Sequence, residues 1–487
     1  MARWTPQMRL ERLLPTPKSC EIHEGLLTIP FTVKTEETAW HTYAETLSAS
    51  VEKLFGHKVT EGAGILLRRD GSLPQSGYHL DSTGEGVVLT AATDEGICYA
   101  MATALQMMEL TAAGLTLGRA VITDAPDRDY RTLMVDLARE WHSFDTILHY
   151  VDVCFMLKLR YLHLHFIDSQ RYTLPSASFP RLNADGEHYS SEQIRVLRAY
   201  AKARGVILVP EFETPGHAAM LVKQYPEVFA NEMDGEGGTM VTETGETITA
   251  ANIVCAGSEK SMEATKILLA EIAEMFPESP YIHIGGDEAN IKAWRGCRVC
   301  RDYMQRHGIK DEKELYSEFV GRAAKAVFDL GRTPIVWEGF PREGVQYIPK
   351  ETIVIAWESK YHMAYDLLNA GFRIINGSWQ PLYIVPSLRR RWNYSDIMGW
   401  NIFNWQHFWE HSEAKLNPIT VPATDRVLGA QISAWECTYD MEIGRVMENC
   451  AALSERVWNL RRLHDDDAIR SHIEAAVMQT ARLIAEK

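Results

Sequence analysis

Asp287 and Glu288 are adjacent carboxylates at the end of an alternating apolar run, residues 281–284, that meets Gly285 and Gly286. Neighbouring carboxyl groups given different environments acquire different proton affinities, which is how one site obtains both an acid and a stabilising anion. The two glycines permit a sharp turn and the close approach of a ligand. Taken alone, the stretch also suits a strand-to-helix turn with an acidic first helical turn.

Other residues able to do chemistry fall at the ends of further short apolar runs. In chain order they are Asp136 with Arg139, His165 with Asp168, Glu211 with Glu213 and His217, Trp337 with Glu338, Trp357 with Glu358, Tyr383, and Trp435 with Glu436. Carboxylates suit proton transfer and hydroxyl recognition; tryptophans offer flat apolar faces to sugar rings, whose C–H groups are apolar and whose rim is polar. Any one of these tryptophans is equally at home in a core. His217, within Thr-Pro-Gly-His, could be a buried structural histidine, but its loop position after a strand-ending Glu favours function. His163 and His165, on one face of a strand, with His217, His283 and Asp287, also allow a metal-dependent hydrolase in which zinc activates water. Against that, His283 lies inside its strand, and no other pair has metal-ligand spacing.

The elements that must position these groups are eight candidate strands, 132–137, 161–167, 206–212, 281–285, 334–337, 352–357, 372–376 and 427–435, separated by helical stretches. Repeated βα units predict a (β/α)8 TIM barrel, whose C-terminal strand ends converge on one mouth. A doubly wound sheet would need a Gly-rich loop after the first strand, where residues 137–141 have none. The expected domains are an accessory α+β module over 1–124 and a catalytic barrel with a C-terminal helical tail over 125–487. In the module, 26–33 and 86–90 read as strands and 38–55 and 96–110 as helices. Two insertions stand out: 225–251, rich in Gly, Thr and Glu, expected as an exposed hairpin or lid, and 376–425, dense in Trp and Tyr.

The 487 residues carry a formal charge of -15 and 46% apolar residues. That supports a large core and argues against a nucleic-acid surface. No run is long and apolar enough to span a membrane, and the N-terminus lacks a signal-peptide core, so a cytoplasmic location is expected. The eight cysteines form no disulfide framework. Cys297 and Cys300 make a CxxC pair without a second CxxC; it is read as structural, with a redox pair or half a metal site as alternatives.

Together these motifs resemble the β-N-acetylhexosaminidases of glycoside hydrolase family 20. The likeness runs from 77–80 and 96–100 through 131–139, 163–170, 204–217, 283–288 and 381–383. It implies exo-acting, retaining removal of terminal β-linked N-acetylglucosamine or N-acetylgalactosamine, without cofactor or metal, by attack of the substrate's own 2-acetamido group. Such an attack is effectively intramolecular, so no enzyme nucleophile is needed. The resemblance casts Glu288 as the acid/base on the glycosidic oxygen and Asp287 as the anion that orients the acetamido group and stabilises its positive charge. It further implies that Tyr383 bonds the acetamido oxygen, that Arg139 holds ring hydroxyls, and that Trp337, Trp357 and Trp435 wall the pocket. Asp168, Glu213 and His217 would then set the proton affinity of Glu288.

The chain departs from the family pattern at three places. Glu213 stands where Asp is common, Val385 where a carboxylate often binds outer hydroxyls, and Trp435-Glu436 where Trp-x-Glu is usual. The last two bear on recognition at the 4- and 6-hydroxyls, so acceptance of both epimers is expected. Release of a disaccharide and a catalytically silent carbohydrate-binding protein are the alternatives, the second disfavoured by the intact Asp287, Glu288 and Tyr383. The expected partner is a glycoconjugate or small-molecule substrate; the oligomeric state is left open.

Overall fold

The computed structural model describes residues 5–29, 32–56, 64–184, 186–234, 239–241, 245–386 and 391–485. An N-terminal seven-stranded sheet runs, edge to edge, Ser19–Thr28, Gly114–Asp124, Tyr78–Asp81, Val87–Ala91, Ile65–Arg69 and Val33–Thr35, with Glu109–Thr111 paired to the long Gly114–Asp124. Helices His41–Phe55 and Asp94–Met107 pack on it. The expected strand over 26–33 is displaced to Ser19–Thr28, and residues 30–31 lie outside the described set. Most of Ser19–Thr28 is exposed, so it presents no apolar alternation from which to read it.

All eight expected barrel strands occur: β1 (Tyr130–Asp136), β2 (Tyr161–His165), β3 (Ile207–Thr214), β4 (Tyr281–Gly285), β5 (Thr333–Trp337), β6 (Ile353–Ala356), β7 (Arg373–Asn376) and β8 (Val427–Ala434). Each pairs in parallel with the next. The sheet closes through Asn376 opposite Ala430 and Ala434 opposite Val135. β2 ends before the expected Ile167, which instead bridges to Tyr172. A two-residue strand, Tyr383–Ile384, pairs with Ser433 and Ala434 and so brings Tyr383 to the end of β8.

Period-two alternation builds the barrel interior in layers. Tyr130, Tyr161 and Tyr281 pack near the strand starts, the first two stacked at 4.7 Å. One step on, the rings of His163 and His283 lie 4.7 Å apart. Trp337, Trp357, Tyr383 and Trp435 form the layer at the mouth.

In the 225–251 insertion, Thr239–Val241 and Thr247–Thr249 form an antiparallel pair; 235–238 and 242–244 lie outside the described residues. In the 376–425 insertion, Trp392, Trp400 and Trp405 are buried as packing, and 387–390 are not described. The tail helices Tyr439–Trp458 and Asp466–Ile484 bind the barrel to the N-terminal sheet. Trp458 Nε1 donates to Asp124 Oδ1 at 3.0 Å, and the Lys158 and Arg131 cations lie 4.9 and 5.0 Å from its ring. Gln479 Nε2 donates to the Leu105 carbonyl at 3.1 Å. Among the described residues, no helix is long and apolar enough to cross a membrane.

Candidate active site

Strand β1 ends at Asp136, whose Oδ1 accepts the backbone N–H groups of Ala138 and Arg139 at 3.1 and 3.0 Å and whose Oδ2 accepts Arg139 Nη1 at 3.3 Å. This turn fixes Arg139. Its Nη2 lies 2.8 Å from Asp168 Oδ2, and its guanidinium sits 4.9 Å from the Trp435 ring. Burial opposes the guanidinium charge, but Asp168 and Asp136 outweigh it and raise the group's proton affinity.

Asp168 is a shared acceptor. His165 Nε2 is 3.0 Å and His217 Nδ1 3.4 Å from its Oδ2. Burial resists ionisation here, yet the hydrogen bonds from both histidines, with Arg139, hold the carboxyl far below the usual range. The other nitrogen of His217, Nε2, lies 3.4 Å from Glu288 Oε2. Burial disfavours the imidazolium, but the bonds to Asp168 and Glu288 reverse that and raise the ring well above its ordinary value. Glu288 is lowered in turn, first by its bond to His217. The result is a relay, Asp168 to His217 to Glu288, in which the imidazole and the Glu288 carboxyl share a proton.

His217, Glu288 and Glu436 hold φ at 50°, 44° and 56°, a left-handed region that non-glycine residues enter at a cost on the order of 1–3 kcal/mol. At Glu288 this turns two consecutive carboxylates apart. Asp287 is 8% exposed, whereas the Glu288 side chain is 48% exposed. Burial pushes Asp287 up to about 6, with His217 opposing and the Glu288 charge adding to the rise. The Pro-Gly-His loop lies against this turn: a Cβ on Gly216 would stand 2.8 Å from the Asp287 carbonyl oxygen.

Glu213 is buried next to the same turn. It lies beneath Gly285, where an added Cβ would collide with its carboxyl, and it feels the charges of Asp287, Glu211 and Asp168. Burial, then the charges of Asp287, Glu211 and Asp168, hold Glu213 protonated, well above a normal carboxyl.

Glu211 organises the layer below. His165 Nδ1 lies 2.5 Å and His163 Nε2 3.1 Å from its Oε2, while His283 Nδ1 at 2.8 Å and Trp337 Nε1 at 2.6 Å meet its Oε1. Three of the four histidines weighed as metal ligands, His163, His165 and His283, therefore surround one carboxylate, which also receives the Trp337 indole. Burial, opposed by Glu211, keeps His283 low, near 4; for His165 the carboxylates outweigh burial and push it up to about 10. This histidine layer braces Asp168 and Trp337 from beneath.

Above it opens a cavity of about 290 Å³ lined by Arg139, Asp287, Glu288, the tryptophans 337, 357, 379 and 435, Tyr383, Val385, Pro386 and Glu436. Its size sits near the lower end of the roughly 300–1,000 Å³ common for ligand pockets, which suits one compact unit. Trp357 and Tyr383 stack at 6.0 Å with 12° between planes, and Trp379 backs Tyr383 at 4.8 Å. Trp357 Nε1 donates to the Glu338 carbonyl at 2.7 Å. The Glu338 carboxylate takes five backbone N–H groups of residues 358–362, a structural duty. Asp287 Oδ1 is buried in the pocket wall without a hydrogen-bond partner among the described residues. Such buried polar atoms call for a ligand or water.

Of the residues to which the family resemblance gives roles, all but Asp168, Glu213 and His217 line this cavity, and Asp168 and His217 stand directly behind it; Asp136, His165, Glu211, Glu338 and Glu358 do not line it. Trp379 and Pro386 were missed. Trp379 reaches Tyr383 across a non-helical turn at Gln380 and Pro381, for which no spacing rule in the sequence gives a signal.

The profile of glycosyl hydrolase family 20, catalytic domain, matches residues 129–461, and that of the same family's domain 2 matches 11–125. The chain is 31% identical over 351 residues to a β-hexosaminidase of Akkermansia muciniphila, spanning 68% of each chain. It is 26% identical over 409 residues to the β-hexosaminidase subunit beta of Entamoeba histolytica, spanning 80% of this chain and 70% of that one. Its fold is that of the family 20 exo-β-N-acetylglucosaminidase of Vibrio harveyi crystallised with N-acetylglucosamine, at TM-score 0.83 and 22% identity, covering 98% of this chain and 78% of that one. The chain belongs to glycosyl hydrolase family 20 and is a glycoside hydrolase of the β-hexosaminidase kind.

Proposed function

We propose that the enzyme removes a single terminal β-linked N-acetylhexosamine with retention of configuration, using the substrate's 2-acetamido oxygen as nucleophile. The observation that carries this reading is the division of labour between Asp287 and Glu288. Asp287 presents an unpartnered Oδ1 within the aromatic box of Trp337, Trp357, Tyr383 and Trp435. Glu288 faces the open side on the His217 relay. An acetamido group packed among the aromatic rings offers an N–H to Asp287 and a carbonyl oxygen to the Tyr383 hydroxyl. As that oxygen attacks the anomeric carbon the ring becomes cationic, which stabilises ionised Asp287. Glu288 gives the leaving oxygen its proton, drawn from the pair it forms with His217, and later takes one from water.

Arg139 binds the ring hydroxyls beside Trp435 and the exposed Glu436. Val385 offers no polar group at the outer rim, which supports acceptance of both 4-epimers. The deciding experiment is a panel of aryl β-glycosides differing at the 2- and 4-positions, with the product anomer followed by NMR. We expect retention, comparable turnover of the two acetamido epimers, and little hydrolysis without the acetamido group. Equal cleavage of the 2-hydroxy analogue would overturn substrate assistance.

A further inference from the structure

The CxxC pair is not alone in space. Cys255, just beyond the 225–251 insertion, reaches Cys297 and Cys300, with Sγ–Sγ distances of 3.7 Å to Cys297 and 3.6 Å to Cys300. All three side chains are buried, and none is in a disulfide. The three sulfurs lie mutually within 4.8 Å. Buried Asn231 adds an oxygen, its Oδ1 standing 3.7 Å from Cys300 Sγ.

These separations have the dimensions of a tetrahedral metal site. With Zn–S of about 2.3 Å and Zn–O of about 2.1 Å, a tetrahedron has S···S edges of about 3.8 Å and S···O edges of about 3.6 Å. A disulfide would need about 2.0 Å between sulfurs. Cys297 is the N-cap of helix Arg298–His307 and Cys300 lies in its first turn, so one helix end holds both sulfurs of the CxxC pair. Soft thiolate donors in tetrahedral array select zinc over hard cations.

We propose that Cys255, Cys297 and Cys300 bind one structural zinc ion, with an oxygen, the Asn231 amide, as fourth donor. Binding exchanges three thiol protons for the metal. The ion would staple the β3 insertion to the loop after Glu288. The same seam carries the bond from Trp294 Nε1 to the Val254 carbonyl at 3.0 Å and the paired backbone contacts of Met233 with Cys297. The site is separate from the sugar pocket, so its role is to hold the Glu288 loop.

The test is elemental analysis of the full chain, purified without chelator and without a histidine tag, beside its cobalt-exchanged form. We expect about one zinc per chain, lost in Cys255→Ser and Cys300→Ser and kept in Cys154→Ser. The cobalt form should show a sulfur-to-cobalt charge-transfer band and a tetrahedral d–d envelope. That spectrum is read on the wild-type chain, so the test survives if the serine variants fail to fold. Zinc far below stoichiometry with eight alkylatable thiols, a disulfide within the trio, copper or iron in zinc's place, or a cobalt spectrum without sulfur bands would each overturn the proposal.

Discussion

Glu288 Oε2 lies 3.4 Å from His217 Nε2, and both residues hold left-handed backbone. The relation couples the acid's proton to a histidine whose far nitrogen faces the ionised Asp168. The proton therefore belongs to the pair rather than to either residue.

Replacing Glu288 with Gln removes the proton donor. Turnover of substrates with poor leaving groups should fall by about 10²–10⁴-fold. Aryl glycosides with strongly acidic phenols need little protonation and should lose far less. Steady-state kinetics across a series of leaving groups checks this; equal losses throughout would contradict the acid role.

Asp287→Asn should move activity and stability in opposite directions. Activity on acetamido substrates should drop by about 10²–10³-fold, the scale of losing one preorganised electrostatic contact. The folded-state carboxyl is raised to about 6 from 3.8. Below pH 3.8 both states are protonated and there is no penalty. Between 3.8 and 6 the unfolded chain ionises while the folded one does not, so wild-type stability falls, by at most about 3 kcal/mol above pH 6. Thermal melts should show the variant more stable at pH 7.5 and nearly equal at pH 4.

The pH profile should narrow in His217→Gln. Activity needs ionised Asp287 and a protonated His217–Glu288 pair. Without the imidazolium, Asp287 loses a cation that lowers it, so the acid limb moves up. The proton must then rest on Glu288 alone, so the alkaline limb moves down. Profiles of kcat/KM, which report the free enzyme, check both shifts; limbs that stay in place would exclude the relay.

Arg139→Ala leaves Asp168 and Asp136 buried beside a missing cation, which should cost about 3–5 kcal/mol of stability. Arg139→Lys keeps the charge but loses the planar contacts to two carboxylates and the Trp435 ring. We expect the lysine variant to raise KM more than it lowers kcat, measured on the aryl acetamido substrate.

Much of this was written in the linear chain. β4 was legible residue for residue, because it is a short apolar run ended by two glycines, and Asp287 and Glu288 follow it directly. The eightfold βα rhythm implies one mouth, and with it a single pocket for Arg139, Trp337, Trp357, Tyr383 and Trp435, which all line one cavity. Residue type and strand-end position suffice there, since a closed parallel barrel leaves those side chains nowhere else to converge. Only the tertiary structure decided what each group experiences. It set Glu213 beneath Gly285, gathered His163, His165 and His283 on Glu211, and carried Cys255 across more than forty residues to the CxxC pair. The physical reason is common to all three. Burial, charge pairing and backbone strain depend on distances between residues far apart in the chain, and local periodicity says nothing of those distances until the chain has closed on itself.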